Sequence, residues 1–195
     1  MNENNNTIKN RILISAQELF ALKGYDAVGV AEICLKADAS KGAFYHHFES
    51  KESLFIELLD DWLKKMDANL LDIFNNDISL EEGISKVLEI LKDLAVETTN
   101  QYPIFIEFYT KAIRNEKVFN RLNLEMQKYQ SLLASLIQKG IDENMLKPVD
   151  ALHTSKVAIA LVMGLLMEGW MSREKEEWNM LFKYCLNNFM EGIRK

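Results

Sequence analysis

An all-α protein is predicted for this chain of 195 residues, on three observations. Apolar residues recur along nearly every segment at the spacing of one face of an amphipathic helix. Only two prolines and eight glycines interrupt that pattern. No run of β-branched residues bounded by turn residues offers a strand. The expected architecture is about nine helices, in an N-terminal three-helix domain over residues 1–50 and a larger helical domain over residues 51–195.

The first helix is carried by Ile8, Ile12, Ala16, Leu19 and Phe20, and Lys23-Gly24 stops it, with glycine free to take the left-handed cap position. Val30, Ile33, Cys34 and Ala37 make a second, two-turn helix. After the break Asp38-Ala39-Ser40, Ser40 can cap a third short helix, Lys41 to Phe48. Ser50 caps a fourth, with the stripe Phe55, Leu58, Leu59, Trp62, Met66, Leu70 and Ile73. Ser79-Leu80-Glu81-Glu82 reads as a capping box before Ile84, Val87, Leu88, Leu91 and Leu94. Pro103 suits a first helical position, ahead of Phe105, Phe108, Tyr109 and Ile113. A long helix then carries Phe119, Leu122, Met126, Tyr129, Leu133 and Ile137 and is expected to end near Gly140. The next spans roughly 150–172, and the last holds Trp178, Leu181, Phe182, Cys185, Leu186, Phe189 and Ile193.

Formal net charge is −6, yet the first 55 residues are close to neutral, so the acidic excess lies beyond them. Nucleic-acid binding therefore has to rest on where charges are placed, not on their total. Cys34 and Cys185 fall on apolar faces and read as two buried thiols in a reducing compartment. The start, MNENNNTIKN, has no apolar segment of the signal-peptide kind. The longest apolar run, Val157–Met167, is eleven residues, which by itself is too short to span a bilayer. A soluble, cytoplasmic protein is expected.

The stretch SKGAFYHHFESKESLF, residues 40–55, explains the short helices. Two short helices joined by a three-residue turn have helix-turn-helix geometry, in which the second helix enters the major groove of DNA. Gly42 lets the helix start lie close to the DNA backbone, and the capped N-terminus suits phosphate. Lys41 can reach a guanine or a phosphate. Tyr45, one turn on, can bond a phosphate, with His46 beside it facing outward. Phe44 and Phe48 point inward. Lys51 can grip the flanking backbone. His46 and His47, being adjacent, do not share a helix face and make no metal pair.

The run Phe20…Gly24-Tyr25…Ile33…Ala37-Asp38-Ala39-Ser40-Lys41-Gly42-Ala43-Phe44-Tyr45-His46-His47-Phe48…Ser50-Lys51-Glu52…Leu54 resembles the N-terminal domain of the TetR family of transcriptional regulators. The resemblance covers about fifty residues; the rest agrees only in length and helical pattern. It implies DNA contacts from Gly29, Val30, Ser40, Lys41, Gly42, Ala43, Tyr45, His46 and Lys51. Three positions depart from the family pattern. Asp38 replaces a turn glycine, and aspartate tolerates the left-handed conformation better than most residues. Gly29 and Ala43 stand where hydroxyl residues commonly touch phosphate. Fewer phosphate contacts on a near-neutral domain imply modest salt dependence.

The resemblance further implies a homodimer, joined by a four-helix bundle from the last two long helices, on a palindromic DNA operator. It also implies a small-molecule pocket in the larger domain. Candidate pocket residues are Trp62, Met66, Phe105, Phe108, Tyr109, Ile113, Phe119, Met126, Tyr129, Met163, Met167 and Trp170, aromatic and methionine side chains suited to a small apolar or aromatic effector. Glu107, Glu168 or His153 could supply a polar handle. No phosphate loop, zinc-ligand spacing or nucleophile elbow occurs, so no enzyme activity and no cofactor are expected. The expected function is a ligand-responsive regulator, commonly a repressor in this family. The alternative is a DNA-binding regulator whose helical domain binds a protein partner or co-repressor.

Overall fold

Eight helices are defined in the computed structural model, which describes residues 2–75, 82, 83, 86, 102–171 and 175–195. They are α1 (Asn2–Lys23), α2 (Val30–Lys36), α3 (Lys41–His47), α4 (Lys51–Asn75), α5 (Tyr102–Ala112), α6 (Glu116–Asp142), α7 (Ala151–Met171) and α8 (Lys175–Ile193). Among the described residues there is no strand, and an isolated bridge pairs Leu146 with Arg194. The helix predicted after Ser79 lies outside the described residues, apart from Glu82, Gly83 and Lys86, which are helical.

Local chemistry sets the boundaries. Gly24 takes φ +82 and donates its N–H to the Phe20 carbonyl at 2.9 Å, closing α1 with a left-handed residue that glycine adopts without strain. Asp38 sits at φ +48 after α2, the left-handed role expected of it. At the start of α4, Ser50 and Ser53 cap each other: each backbone N–H donates to the other's hydroxyl at 3.0 Å. This is a capping box with serine in place of the usual Glu or Gln. The long helix α6 runs past Gly140 to Asp142, and Asn144 at φ +64 reverses the chain instead.

The chain divides into two compact units, Met1–Ala68 with Asn100–Leu122 and Asn69–Thr99 with Asn123–Lys195. In the first, α1, α2 and α3 do not close a core of their own. Ile12, Phe20, Ile33 and Phe44 share one cluster with Leu54, Phe55 and Leu59 of α4 and Ile104 and Phe108 of α5. Rings join these elements: Phe20 and Phe55 lie edge-on 5.7 Å apart and Tyr25 and Phe55 edge-on at 4.6 Å, while Phe55 and Phe108 are tilted at 5.1 Å.

The second unit holds two smaller clusters. One packs Leu165 and Leu166 of α7 against Trp178 and Phe182 of α8. The Trp178 indole donates to the Leu165 carbonyl at 2.6 Å and lies against Gly169, where any side chain would collide with it. The other joins Leu136 and Ile137 of α6 to Leu146. The eleven-residue run lies inside a longer helix. As folded, Ala151–Gly169 is long and apolar enough, by length and composition, to cross a membrane, and little of it is buried within the chain. Polar residues flanking the run belong to the same helix, which the run alone did not convey.

Candidate nucleic-acid interface

Recognition-helix geometry follows from three anchors on α3. Ser40 is extended (φ −76, ψ 156), and its hydroxyl accepts the Ala43 N–H at 3.0 Å. Phe44 and Phe48 are fully buried, 5.6 Å apart, and fix the helix to its scaffold. Lys41, Gly42, Tyr45 and His46 are left on the solvent face. Tyr45 is 56% exposed and touches the Phe44 ring edge-on at 5.3 Å, which steadies the ring while its body stands in solvent. Ala43 is half-buried with its N–H engaged by Ser40, and Val30 packs against the core. Gly29 caps α2 with no side-chain bond.

The turn between α2 and α3 is held from a distance. Arg11 of α1 donates through Nε to the Ala37 carbonyl (3.0 Å) and through a terminal nitrogen to the Asp38 carbonyl (2.9 Å). The planar guanidinium matches two successive carbonyls in one rigid fork. Beneath the turn, the Cys34 thiol lies 3.8 Å from the Ser40 carbonyl, and burial pushes that thiol's pKa up, away from the reactive thiolate. Both cysteines are free thiols; Cys34 is buried and Cys185 half-buried.

Lys51 is not aimed outward in the manner expected of it. Its ammonium donates to the carbonyls of Tyr25 (2.9 Å) and Val28 (2.8 Å) and lies 4.2 Å from the Tyr25 ring centre. Burial pulls its pKa below the usual lysine value, a pull that neighbouring Lys111 adds to and Asp26 opposes. Tyr25 is itself buried, and desolvation, then Glu52 and Asp26, push its hydroxyl up to about 12. The remaining cations of the first 55 residues are also engaged: Lys9 with Glu57, Lys23 with Glu32, Lys36 with Glu18. Among the described residues, Lys41 alone of this set has neither hydrogen bond nor ion pair.

His47 ends α3 turned inward. Its Nε2 is buried without a hydrogen-bond partner. Desolvation, then His46 and Lys9, lower its pKa, against the pull of Glu57.

The pocket candidates are divided between the two units, Trp62, Met66, Phe105, Phe108, Tyr109, Ile113 and Phe119 in the first and Met126, Tyr129, Met163, Met167 and Trp170 in the second. Phe108 belongs to the core stack, and Phe105 is buried against Trp62 (5.2 Å) and Tyr109 (4.7 Å). Ile113, at 83% exposure in the turn after α5, and Phe119 and Met167, each about half exposed, lie toward solvent. Met66, Met126, Tyr129 and Met163 are half-buried, and the side chain of Trp170 lies outside the described residues. A crevice of about 380 Å³ does open between α1, α4 and α5, with Trp62 and Phe108 in its lining beside Ile14 and Ile104 and with Asp61 and Lys65 also among its lining residues. The candidate handles have other situations. Glu107 accepts the Tyr25 N–H at 2.7 Å, His153 pairs with Asp150 on the surface, and Glu168 is exposed.

Arg11 and Lys111 draw no attention in the sequence, and Glu107 stands out there only as a polar handle for a pocket, not as a clasp on the turn. The partners of Arg11, Glu107 and Lys111 lie 26, 82 and 85 positions away, beyond any local pattern.

Comparison with known proteins agrees with this geometry. The family of bacterial regulatory proteins of the tetR type matches residues 12–58, which include α2, α3, their turn and the start of α4. The chain is 26% identical over 195 aligned residues to the HTH-type transcriptional regulator QacR of Staphylococcus aureus, covering 96% of this chain and 99% of that protein. It is 30% identical over 153 residues to the transposon Tn10 TetC protein of Escherichia coli, covering 76% of this chain and 73% of that one. In fold it is similar to a transcriptional regulator from Saccharomonospora viridis solved in complex with choline, with TM-score 0.82, 20% identity and coverage of 96% and 97%. A capped helix with a polar outer face, held over a left-handed turn inside a matching family segment, places this chain in the TetR family of transcriptional regulators, DNA-binding proteins and not enzymes.

Proposed function

We propose that this protein is a ligand-responsive repressor that binds a palindromic operator as a homodimer and is released by a small apolar or aromatic ligand. The observation that carries the DNA part is the outer face of α3. Lys41, Gly42, Tyr45 and His46 project from a helix whose opposite face is locked by Phe44 and Phe48. No protein neighbour requires glycine at position 42, where an added Cβ would meet only the Ser40 hydroxyl, at 3.6 Å. The small residue keeps room for something outside the chain, and a DNA backbone is the partner this face suits.

The dimer reading is supported by α7 and α8. Val157 (57% exposed), Ala160, Gly164 and Met167 (49%) line one exposed stripe of α7, and Met180 and Tyr184 stand exposed on α8. Small residues in the middle of an apolar stripe permit close helix approach, and a second copy of the same pair of helices would cover it. A two-fold dimer reads two half-sites about one DNA turn apart. For the effector, the aromatic walls of Trp62 and Phe108 in the crevice suit a flat apolar body.

The test is fluorescence anisotropy on the duplex upstream of the protein's own gene, at fixed salt, with a ligand panel that includes aromatic, acyl and quaternary-ammonium compounds. Competitor-resistant binding that one ligand class releases supports the reading. Binding that no ligand releases, with a co-purifying protein that alters it, favours a protein partner for the helical domain instead. No binding to that duplex or to any selected duplex would sink the proposal.

A further inference from the structure

We propose that Glu107 is a positioning residue for DNA binding: its carboxylate clasps the turn between α1 and α2 and so makes α5 a second support of the recognition helix. The proposal rests on the DNA-binding reading and adds to it the route by which α5 reaches α3.

The turn Tyr25–Val28 makes few bonds to itself and is gripped by side chains from two other helices. Glu107 Oε2 accepts the Tyr25 N–H at 2.7 Å. Gly24, at φ +82, brings its backbone so near that an added Cβ would rest against the Glu107 carboxylate at 3.5 Å. One helical turn further on, Lys111 pairs with Asp26 at 3.0 Å and lies 4.3 Å from the Tyr25 ring centre. Lys51 of α4 takes the Tyr25 and Val28 carbonyls. Apart from the turn, Glu52 of α4 accepts from the amide of Asn115, which ties α4 to the chain just after α5. The turn therefore has a donor, two acceptors, a ring and a carboxylate all held from outside.

Position then passes along a short length of chain. Val28 is followed by Gly29, the cap of α2, and α2 carries Cys34 against the Ser40 carbonyl at the cap of α3. A shift of the turn has little slack to absorb it before it reaches α3. At its other face α5 meets the aromatic cluster: Phe105 and Tyr109 flank Glu107 in sequence, and Phe105 and Phe108 both touch the Trp62 ring. Ile104 and Phe108 line the crevice. A ligand that moved α5 there would pull on the turn through Glu107. A carboxylate suits this role because it only accepts, and a bond to a charged acceptor is roughly twice as strong as a neutral one.

The experiment compares wild type with Glu107→Ala, Glu107→Gln and Glu107→Asp by residue-resolved amide hydrogen exchange. Affinity is measured in parallel for a duplex selected in vitro from a random-sequence pool. In Glu107→Ala, exchange at Tyr25 should rise about tenfold or more, in line with loss of one charge-assisted bond. Exchange across α3 should rise with it, α7 and α8 should stay unchanged, and duplex affinity should fall by about tenfold. Glu107→Gln keeps an acceptor and should restore α3 protection. Glu107→Asp, one methylene shorter, should fall between and serves if the alanine variant folds poorly. Loss of protection at Tyr25 with α3 exchange and affinity unchanged overturns the proposal, as does an unchanged Tyr25 amide. If wild type selects no duplex, the DNA reading fails, and α3 exchange still decides the clasp.

Discussion

Replacing Lys51 by methionine keeps the aliphatic stem and removes only the ammonium, so it separates two roles for one residue. In the fold, that ammonium bonds the Tyr25 and Val28 carbonyls at 2.9 and 2.8 Å. The Tyr25 carbonyl keeps a second donor, the Val28 N–H at 3.3 Å, so the substitution strips the Val28 carbonyl more completely. A hydrogen bond from a charged donor contributes about 1.5–3 kcal/mol net. Contact with the Tyr25 ring adds about 0.5–1 kcal/mol, and relief of the partly buried charge subtracts a similar amount. The expected loss is about 2 kcal/mol, which for a chain of this size lowers the melting midpoint by roughly 4–8 °C. Urea unfolding should show the midpoint falling with the slope unchanged. The salt titration gives the second arm. With Lys41 as the one unengaged cation on each α3 unit, a dimer should show a slope of log K against log salt near about −2, and the substitution should leave it there. If instead Lys51 gripped phosphate, stability would hardly change and the slope would weaken by about 1.8 units. That pair of results would refute the inward role.

Three further outcomes are expected. Ser40→Ala removes the Ala43 N–H acceptor at the cap of α3 and should cost about 1 kcal/mol in chemical denaturation, with weaker DNA binding as α3 frays. Tyr45→Phe should leave the melting midpoint unchanged, because the ring keeps its contact with Phe44, while operator affinity falls by about tenfold through loss of one phosphate bond; equal affinity would remove Tyr45 from the interface. His47 should give an acid-sensitive slope: its folded pKa lies below the free value of 6.5, so the unfolded chain takes up the proton first as pH falls. The stability present above 6.5 is then lost as pH drops toward the folded pKa, and His47→Asn should flatten that part of a stability-against-pH curve.

Much of this fold is written in short-range pattern. The stripe of α4, the serine at position 40 and the aspartate at position 38 each impose a local conformation, and each appears where chain neighbours alone require it. Phe44 and Phe48 were assignable to the core because i, i+4 spacing on a short helix leaves one face to bury. Side chains whose partners are remote in sequence were not legible. Lys51 has the same spacing whether it turns to phosphate or to the Val28 carbonyl, and only the approach of the turn decides it. Arg11 and Glu107 look like ordinary surface charges until the carbonyls of Ala37 and Asp38 and the Tyr25 amide arrive beside them. Which pocket candidates face a cavity was not legible for a related reason. A helical stripe marks burial, but it does not say whether the neighbour is another ring, as for Phe108, or solvent, as for Ile113.

The core that joins Phe20, Phe55 and Phe108 also limits how such a protein can be recombined. A head cut at Ser50 and grafted onto another regulator would leave behind Leu54, Phe55, Leu59 and Phe108, the partners on which Phe20 and Phe44 are buried. The transplantable piece is Met1–Ala68 together with Asn100–Leu122, which no single crossover can carry. If α3 reads DNA as proposed, sequence preference is free to drift at the exposed Lys41 and Gly42, less so at Tyr45 and His46, whose rings rest on Phe44 and His47, and is shielded from wholesale exchange by the interior.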